Sequence, residues 1–297
     1  MKKVPFTGSC VALITPFTEN GVDFKKLEEL IEWHIKEGTD AILICGTTGE
    51  ASTMPDEEHR EVLRFAVGKI NKRVHVMAGA GSNDTRHAIE LSQYCEEIGV
   101  DSILSVTPYY NKTTQEGLYQ HFKAVASETG LPVILYNVPG RTAMNMLPET
   151  VARLAEIENV VAVKEASGSL NQVADIKRNT PDDFLVYSGD DFLTLPMLSV
   201  GGYGVISVAA HVAGDMIREM LTFFVTGKVK AARELHLKLF PLYKVLFITT
   251  NPVPVKAAVE LIGINVGAPR LPLVRATEEE VEAIKEEMDK LGLLPQN

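Results

Sequence analysis

Residues 133–164 read VILYNVPGRTAMNMLPETVARLAEIENVVAVK. The stretch begins with one mainly apolar run, Val133–Tyr136, and ends with another, Val161–Lys164, and a longer mixed segment separates them. Continuous runs of this length are typical of strands that are buried on both faces of a parallel sheet. Two parallel strands joined by a crossover connection are therefore predicted here.

The same alternation extends along most of the chain. Amphipathic segments with helical spacing, such as Asp23–Lys36 and Asp84–Ile98, separate the apolar runs. Eight strands are predicted in this way: Cys10–Thr15, Ala41–Cys45, Val74–Ala78, Ser102–Val106, Val133–Tyr136, Val161–Lys164, Phe184–Ser188 and Gly204–Val208. Eight strand–helix units over roughly 200 residues are typical of a closed (β/α)8 barrel.

A doubly wound open sheet is the alternative α/β architecture. It would need a topological switch point and usually a glycine-rich fingerprint after the first strand, where this chain has Thr15-Pro16-Phe17. We therefore predict a TIM barrel over residues 1–225 and a C-terminal helical extension, residues 226–297, packed on it. The extension is predicted to contain three helices: Lys228–Phe247, Val253–Ile262 and Thr277–Leu291.

The composition disfavours several classes of partner and site. The 297 residues include 39 Asp and Glu against 29 Lys and Arg, a net charge of -10, so a nucleic-acid backbone would be repelled. The three cysteines are widely spaced and none lies in a C-x-x-C, which disfavours disulfides and thiolate metal sites. We find no export signal and no membrane span in the pattern, and we expect a cytoplasmic location.

Lys164 is the most informative candidate for catalysis. The active site of a TIM barrel lies at the carboxyl ends of its strands, and the apolar residues 160–163 carry Lys164 to such an end. Apolar surroundings favour a neutral amine, which is the form that attacks a carbonyl group. Lys164 is therefore a candidate Schiff-base lysine, and a lysine paired with Glu165 or another carboxylate is the alternative.

Tyr136 ends the strand before Lys164, and its phenol should lie beside the lysine at the same level of the barrel. Imine formation needs protons delivered to and removed from the carbinolamine oxygen, and a phenol does both without adding a charge. Tyr136 is therefore a candidate proton donor and acceptor. A core tyrosine with a satisfied hydroxyl is the alternative.

Two features are candidates for binding the carboxylate of a small acid. The loop G-T-T-G-E at 46–50 has small residues that let backbone N–H groups approach an anion, although ordinary tight turns have similar sequences. Arg141 has a fork that suits a carboxylate, with a surface arginine as the alternative. Phosphate is less favoured, because no basic residue lies between Arg178 and Arg218 around the glycine-rich segment 201–204.

The histidines give little support for a metal site. None of the seven forms an H-x-x-x-H or H-x-H pair, and most fall on predicted helices. A metal-dependent aldolase would need clustered ligands with an open position. We therefore expect catalysis without a metal ion.

Five motifs in fixed order resemble one family. They are G-T-T-G-E at 46–50, T-P-Y-Y-N-K at 107–112, Y-N-V-P-G-R-T at 136–142, V-K-E-A-S at 163–167 and N-P-V-P-V-K at 251–256. The chain resembles the dihydrodipicolinate synthases over essentially its whole length. The resemblance implies a lyase that condenses pyruvate with L-aspartate 4-semialdehyde to 4-hydroxy-tetrahydrodipicolinate, the first committed step of diaminopimelate and lysine biosynthesis. It also implies that no metal or nucleotide cofactor takes part.

The resemblance assigns catalytic roles by motif. Lys164 matches the lysine that forms the imine with pyruvate, and Tyr136 matches the residue that donates and accepts protons. Thr47 and Tyr110 match the other two hydroxyls of the family's proton relay. All four match the chemistry that imine formation requires.

Substrate-binding roles are implied in the same way. Thr48 matches the residue that binds the pyruvate carboxylate, and Arg141 matches the residue that binds the carboxylate of the semialdehyde. Gly189 and Ile206 match positions whose backbone lines the pyruvate pocket. The two substrates are thus each expected to be bound through a carboxylate.

The resemblance also implies an assembly and a form of regulation. In the family the tyrosine at the Tyr110 position reaches into a neighbouring subunit's site, and the usual assembly is a homotetramer built as a dimer of dimers. Asn83, Tyr109 and His59 match the pocket through which lysine inhibits some members. Asp56 and His87, however, stand where strongly regulated bacterial members tend to have His and Glu, so we predict weak or absent inhibition by lysine.

Two other functions are compatible with parts of the pattern. N-acetylneuraminate lyase or a 2-keto-3-deoxy sugar acid aldolase would share Lys164 and Tyr136, but a sugar substrate calls for neutral hydrogen-bonding groups where this chain has Arg141. A sensor that binds a keto acid without turnover would not need the hydroxyls of Thr47 and Tyr110.

Overall fold

The structure is a computed structural model that describes residues 2–295. Ten strands lie within these residues: β1 (Gly8–Ala12), β2 (Phe17–Thr18), β3 (Gly21–Val22), β4 (Ala41–Ile44), β5 (His75–Gly79), β6 (Ser102–Val106), β7 (Val133–Asn137), β8 (Val160–Glu165), β9 (Leu185–Ser188) and β10 (Gly204–Ser207). Eight of them form a closed barrel in the order β1-β10-β9-β8-β7-β6-β5-β4, and β2 pairs with β3. The predicted TIM barrel is therefore confirmed.

Helices follow most of the barrel strands. Within residues 2–295 they are α1 (Phe24–Lys36), α2 (Asp56–Ile70), α3 (Thr85–Glu97), α4 (Gln115–Ser127), α5 (Pro139–Thr142), α6 (Pro148–Ala155), α7 (Leu170–Asn179), α8 (Thr194–Ser199), α9 (Ala210–Val225), α10 (Val229–Val245), α11 (Val253–Leu261) and α12 (Glu278–Lys290), with 3₁₀ turns at Ala51–Thr53 and Asp191–Leu193. The three helices predicted near the C-terminus agree with α10, α11 and α12. None of the helices in this part of the chain is both long and apolar enough to cross a membrane.

The chain divides into two compact units that interleave in the sequence. One consists of Met1–Thr7 and His75–Ile206, and the other of Gly8–Val74 and Ser207–Asn297. This division follows packing within each unit and does not test the boundary predicted after residue 225. That boundary stays a prediction.

The first unit contains the neighbouring parallel strands β5 to β9 and most of β10. All residues of β7 and β8 are buried, as their continuous apolar sequences predict. Tyr136 lies opposite Lys164 in the register of β7 and β8, and Asn137 lies opposite Glu165. Lys164 in turn lies opposite Tyr187 of β9. This register sets polar side chains side by side at the ends of apolar strands.

The second unit contains the parallel pair β1 and β4, the hairpin β2–β3 and the C-terminal helices. Cys10 lies opposite Ala41 in the register of β1 and β4. A capping box begins α12, in which the Thr277 side chain accepts from the Glu280 N–H and the Glu280 side chain accepts from the Thr277 N–H.

One predicted strand has different bounds in the structure, and one hairpin was not predicted. The strand predicted at Cys10–Thr15 ends at Ala12, because the Ile14 N–H donates to His211 Nε2 at 3.1 Å instead of to a neighbouring strand. The residues that follow Ala12 are therefore buried like the strand but are not part of it. The hairpin β2–β3 was not predicted, because strands of two residues are too short to show an alternating pattern.

Candidate active site

Lys164 and Tyr136 lie together at the ends of β8 and β7. Each side chain is buried, with 6% of its surface exposed. Lys164 Nζ is 4.5 Å from the centroid of the Tyr136 ring. The parallel register places the two residues on the same face of neighbouring strands, as the sequence predicts.

Gly189, directly after β9, leaves room for the Lys164 side chain. A Cβ atom at Gly189 would lie 3.1 Å from both Cγ and Cε of Lys164 and 2.8 Å from Cβ of Ala166. Carbon atoms this close overlap, so a side chain at position 189 would push the lysine away from its place. The structure thus gives a steric reason for glycine at this position.

Glu165 follows Lys164 in the strand, so its side chain points to the opposite face. Its carboxylate is buried and accepts from the Ser167 N–H at 2.7 Å and from the amides of Asn137 and Gln172, each at 3.1 Å. These donors are neutral. Within residues 2–295 the structure therefore does not contain the ion pair between Glu165 and Lys164 that the sequence left open.

Ile206 and Asp190 also lie in the first unit, in β10 and directly after Gly189. Ile206 is buried in β10, which pairs with β9 through Val205 opposite Ser188. Burial raises the pKa of Asp190 to about 6, although the Phe192 N–H donates to its carboxylate and opposes the shift. Asp190 follows Gly189 at the end of a predicted strand, but no motif in the sequence assigns it a role.

Arg141 lies on the short helix α5, in the loop that follows β7, and its side chain is exposed. The neighbouring Thr142 is buried, and its hydroxyl, which has one hydrogen to donate, lies within hydrogen-bond distance of the carbonyls of Val138 at 3.2 Å and Met144 at 3.1 Å. These bonds fix the turn that carries the arginine. Arg141 is thus a surface residue in the loop that follows β7.

Tyr110 has a different environment from the other candidates. Its side chain is 94% exposed, and its backbone has a φ of +70°, which is uncommon for a bulky residue. The amide of Asn83 donates to the carbonyl of Tyr109 at 3.1 Å, and the amide of Asn111 donates to the carbonyl of Asn83 at 2.9 Å. The loop is therefore held in place while the tyrosine ring makes little contact within its own chain.

Thr47 and Thr48 follow β4 in the second unit and differ in exposure. Thr47 is exposed, whereas Thr48 is buried and its Oγ1 accepts from the side-chain amide of Asn251 at 2.9 Å. The hydroxyl of Thr15 donates to the carbonyl of Gly49 at 2.7 Å. The loop is therefore fixed by side chains from distant parts of the sequence.

Glu50 ends the same loop in a left-handed conformation, with a φ of +56°. Its carboxylate is buried, lies 2.5 Å from Lys256 Nζ and accepts from the Arg270 N–H at 2.8 Å. Sequence reasoning gave no role to Lys256 or Asn251. The available signal was a lysine and an asparagine in the otherwise apolar segment 251–259.

Among residues 2–295 the structure contains no group of three or more His, Cys, Asp or Glu side chains that could hold a metal ion. Two of the histidines have clear packing roles instead. The rings of His34 and His211 meet edge to face, 5.3 Å apart, and the His211 ring also hydrogen-bonds Ile14 and Val208 through its two nitrogens.

The chain is similar to known proteins over nearly its whole length. It matches the model of the dihydrodipicolinate synthetase family over residues 5–291. It is 56% identical over 294 residues to the 4-hydroxy-tetrahydrodipicolinate synthase of Acetivibrio thermocellus. The aligned region covers 99% of this chain and 100% of that protein.

Two solved structures are similar to it in fold. The dihydrodipicolinate synthase of Aquifex aeolicus has a TM-score of 0.96 and 46% identity, with 98% of this chain and 100% of that chain covered. The chloride-inhibited dihydrodipicolinate synthase of Acinetobacter baumannii, complexed with pyruvate, has a TM-score of 0.94 and 42% identity, with 97% of this chain and 99% of that chain covered.

Proposed function

Because this chain belongs to the dihydrodipicolinate synthetase family, we propose that it condenses pyruvate with L-aspartate 4-semialdehyde to 4-hydroxy-tetrahydrodipicolinate. The reaction is a lyase-class step that leads to diaminopimelate and lysine. One observation carries the proposal: the buried amine of Lys164 lies 4.5 Å from the ring of Tyr136. A buried lysine next to a phenol suits imine chemistry.

Lys164 is the nucleophile in this proposal. Its neutral Nζ attacks the keto carbon of pyruvate, and the carbinolamine loses its oxygen as water to give an imine. The imine nitrogen withdraws electrons, so the methyl carbon can lose a proton, which converts the imine into an enamine with a nucleophilic carbon. That carbon attacks the aldehyde carbon of the semialdehyde and forms the new bond. The amino group of the acceptor then attacks the imine carbon, closes the ring and releases the lysine.

Tyr136 moves the protons of these steps. Its phenol donates to the departing carbinolamine oxygen and later accepts a proton, for which its place beside Lys164 is suited. We assign Thr47 and Tyr110 to the same relay on the basis of the family motifs. The relay replaces the proton that Tyr136 gives up.

The exposed ring of Tyr110 supports a homo-oligomer. A tyrosine that is 94% exposed in a held, left-handed backbone is typical of a residue that a second copy covers. On the basis of the family resemblance, we propose a homotetramer, a dimer of dimers, in which Tyr110 completes the site of a neighbouring copy.

Four residues would bind the substrates. We assign Thr48 to the pyruvate carboxylate and Arg141 to the carboxylate of the semialdehyde, because a charge-assisted hydrogen bond is the strong way to bind an anion. Gly189 and Ile206 would line the pyruvate pocket with their backbone. The steric demand at Gly189 supports this placement beside Lys164.

The proposed chemistry supplies its own electron sink, the imine on Lys164, and so needs no metal or nucleotide cofactor. We propose a cytoplasmic location, because the three cysteines are odd in number, widely spaced and never in a C-x-x-C, a pattern typical of proteins from reducing compartments. Weak or absent inhibition by lysine stays a prediction from Asp56 and His87. Nucleic acids and membranes are not expected partners.

A comparison of acceptors tests the proposed function. Pyruvate consumption is measured with aspartate semialdehyde, N-acetylmannosamine or glyceraldehyde, each at the same concentration. We expect strong preference for the semialdehyde, because Arg141 requires an acceptor that ends in a carboxylate. Preference for a sugar acceptor would keep the imine chemistry and overturn the substrate, and a protein that consumes no pyruvate with any of the three acceptors would favour the sensor.

A further inference from the structure

Asn251 makes a hydrogen bond that limits what the Thr48 hydroxyl can do. Both residues are buried, with 5% and 3% of their surfaces exposed, and Asn251 Nδ2 donates to Thr48 Oγ1 at 2.9 Å. A threonine hydroxyl has one hydrogen to donate and two lone pairs that accept. Because the amide occupies a lone pair, the single hydrogen of Thr48 must point elsewhere.

Within the described residues, the bond from Asn251 is the one hydrogen bond that the Thr48 hydroxyl makes. Its hydrogen is therefore available for an acceptor that the chain itself does not supply. A buried donor without an acceptor costs free energy, and a bound anion removes that cost. The carboxylate of a small acid is an acceptor of the right kind.

Lys256 fixes the far end of the same loop. Its Nζ lies 2.5 Å from Glu50 Oε1 and 4.6 Å from the centroid of the Phe17 ring, and the pair is almost fully buried. The Arg270 N–H holds the other carboxylate oxygen of Glu50. Asn251 and Lys256 both belong to the segment that begins α11, so one short segment holds the loop at two points.

We propose that Asn251 is a positioning residue for pyruvate. By donating to Thr48, it commits the hydroxyl hydrogen of Thr48 to the carboxylate of pyruvate, while Lys256 keeps the loop in place through Glu50. The inference rests on the proposed function and deepens it, because it explains how a neutral threonine is set to act as a donor. Asn251 itself does not touch the substrate.

Two substitutions at position 251 test the role of the amide. Asn251→Ala removes the donor and lets the Thr48 hydroxyl rotate, so the KM for pyruvate is expected to rise about tenfold while kcat changes little. Asn251→Asp offers a carboxylate that accepts the Thr48 hydrogen, and the KM is expected to rise further, about 100-fold. Melting curves establish whether each variant is folded. If only one of the two variants folds, its KM for pyruvate still tests the role of the amide.

A double-mutant cycle separates positioning from general stability. Thr48→Val removes the hydroxyl, so Asn251→Ala added to it is expected to cause no further rise in the KM. Asn159→Ala is the matched control, because the Asn159 amide donates to three backbone carbonyls, those of Ala126, Thr129 and Leu131. It is expected to lower the melting temperature and leave the KM for pyruvate unchanged.

The decisive readout is selectivity for the carboxylate. Imine formation is measured by borohydride trapping over a range of concentrations of pyruvate and of its methyl ester. The wild-type protein is expected to prefer pyruvate, and Asn251→Ala is expected to lose about tenfold of that preference. An unchanged preference, or a KM effect that adds fully to that of Thr48→Val, would overturn the inference. A wild-type protein that traps no pyruvate would overturn the proposed function, and this inference with it.

Discussion

Lys164 and Lys256 are two buried lysines with similar surroundings and different partners. They are 6% and 2% exposed, and their amines lie 4.5 Å from the Tyr136 ring and 4.6 Å from the Phe17 ring. Lys256 forms an ion pair with Glu50 at 2.5 Å. Among residues 2–295, no carboxylate forms such a pair with Lys164, and its neighbour Glu165 is held by neutral donors.

Burial alone therefore does not identify a nucleophilic lysine. Burial lowers the pKa of Lys256, and the Glu50 carboxylate opposes that shift. A lowered pKa is often used to find catalytic residues and would direct attention to Lys256. The carboxylate at 2.5 Å keeps that ammonium in place as a structural cation, whereas Lys164 Nζ lies 4.5 Å from the centroid of the uncharged Tyr136 ring.

The largest effect is expected for the unpaired lysine. Lys164→Ala removes the nucleophile, so turnover should fall by about 10³-fold or more, equivalent to about 4 kcal/mol in the barrier. The variant should remain folded, because no ion pair is lost. Turnover is measured with both substrates and folding by thermal melting. A variant that keeps turnover near the wild-type value would show that Lys164 is not the nucleophile.

The paired lysine should matter for stability. Lys256→Met leaves the Glu50 carboxylate buried without its cation, which should lower the free energy of unfolding by about 3–5 kcal/mol, measured by urea unfolding. Adding Glu50→Gln should restore part of the loss. Lys164→Met is the matched control, since it makes the same chemical change over another aromatic ring and should cost less than about 1 kcal/mol. Equal losses from the two methionine variants would contradict the comparison.

Burial also disfavours the charged form of two histidines, His34 and His211. Burial lowers the pKa of His211 to about 4 and that of His34 well below its usual value. The unfolded chain, with histidine pKa values of about 6.5, then binds more protons than the folded one. Stability should therefore be complete above about pH 6.5 and decrease as the pH falls, by about 1.4 kcal/mol per pH unit for each histidine.

Urea unfolding between pH 7.5 and pH 5 measures this slope. His211→Gln keeps an acceptor for the Ile14 N–H and removes one titrating group, so it should reduce the slope by about one proton. A free energy of unfolding that stays constant or increases on acidification would show that these histidines are not neutral in the folded protein.

The smallest effect is expected from crowding Lys164. Gly189→Ala places a Cβ atom 3.1 Å from the Cγ and Cε atoms of the lysine, which should cost about 1–2 kcal/mol and slow imine formation about tenfold. Gly68→Ala is the control, because a Cβ at that position of α2 would meet nothing within 4 Å. The rate of borohydride trapping with pyruvate should be unchanged in the control. Equal rates for both variants would contradict the steric role of Gly189.

The barrel and its polar strand ends could be predicted from the sequence because both depend on local patterns. Strands buried on both faces appear as continuous apolar runs, which located β6 at Ser102–Val106 and placed Tyr136 beside Lys164. The family resemblance is confirmed by the match over residues 5–291. The helix predicted at Thr277–Leu291 likewise agrees with α12, which spans Glu278–Lys290.

The support of the loop after β4 could not be predicted, because its partners are about 200 residues away in the sequence. Nothing near Thr48 or Glu50 indicates that Asn251 and Lys256 hold them. A carboxylate next to Lys164 in the sequence, Glu165, was a plausible partner, and only the alternation of side chains along β8 shows that it faces the other way. Pairings of this kind depend on the fold as a whole.

Borohydride reduction in the presence of pyruvate, followed by peptide mapping, tests the central claim most directly. We predict that one lysine, Lys164, acquires the mass of a reduced pyruvyl group and that Lys256 stays unmodified. Modification of Lys256, or the absence of any adduct while the protein consumes pyruvate and the semialdehyde, would contradict it.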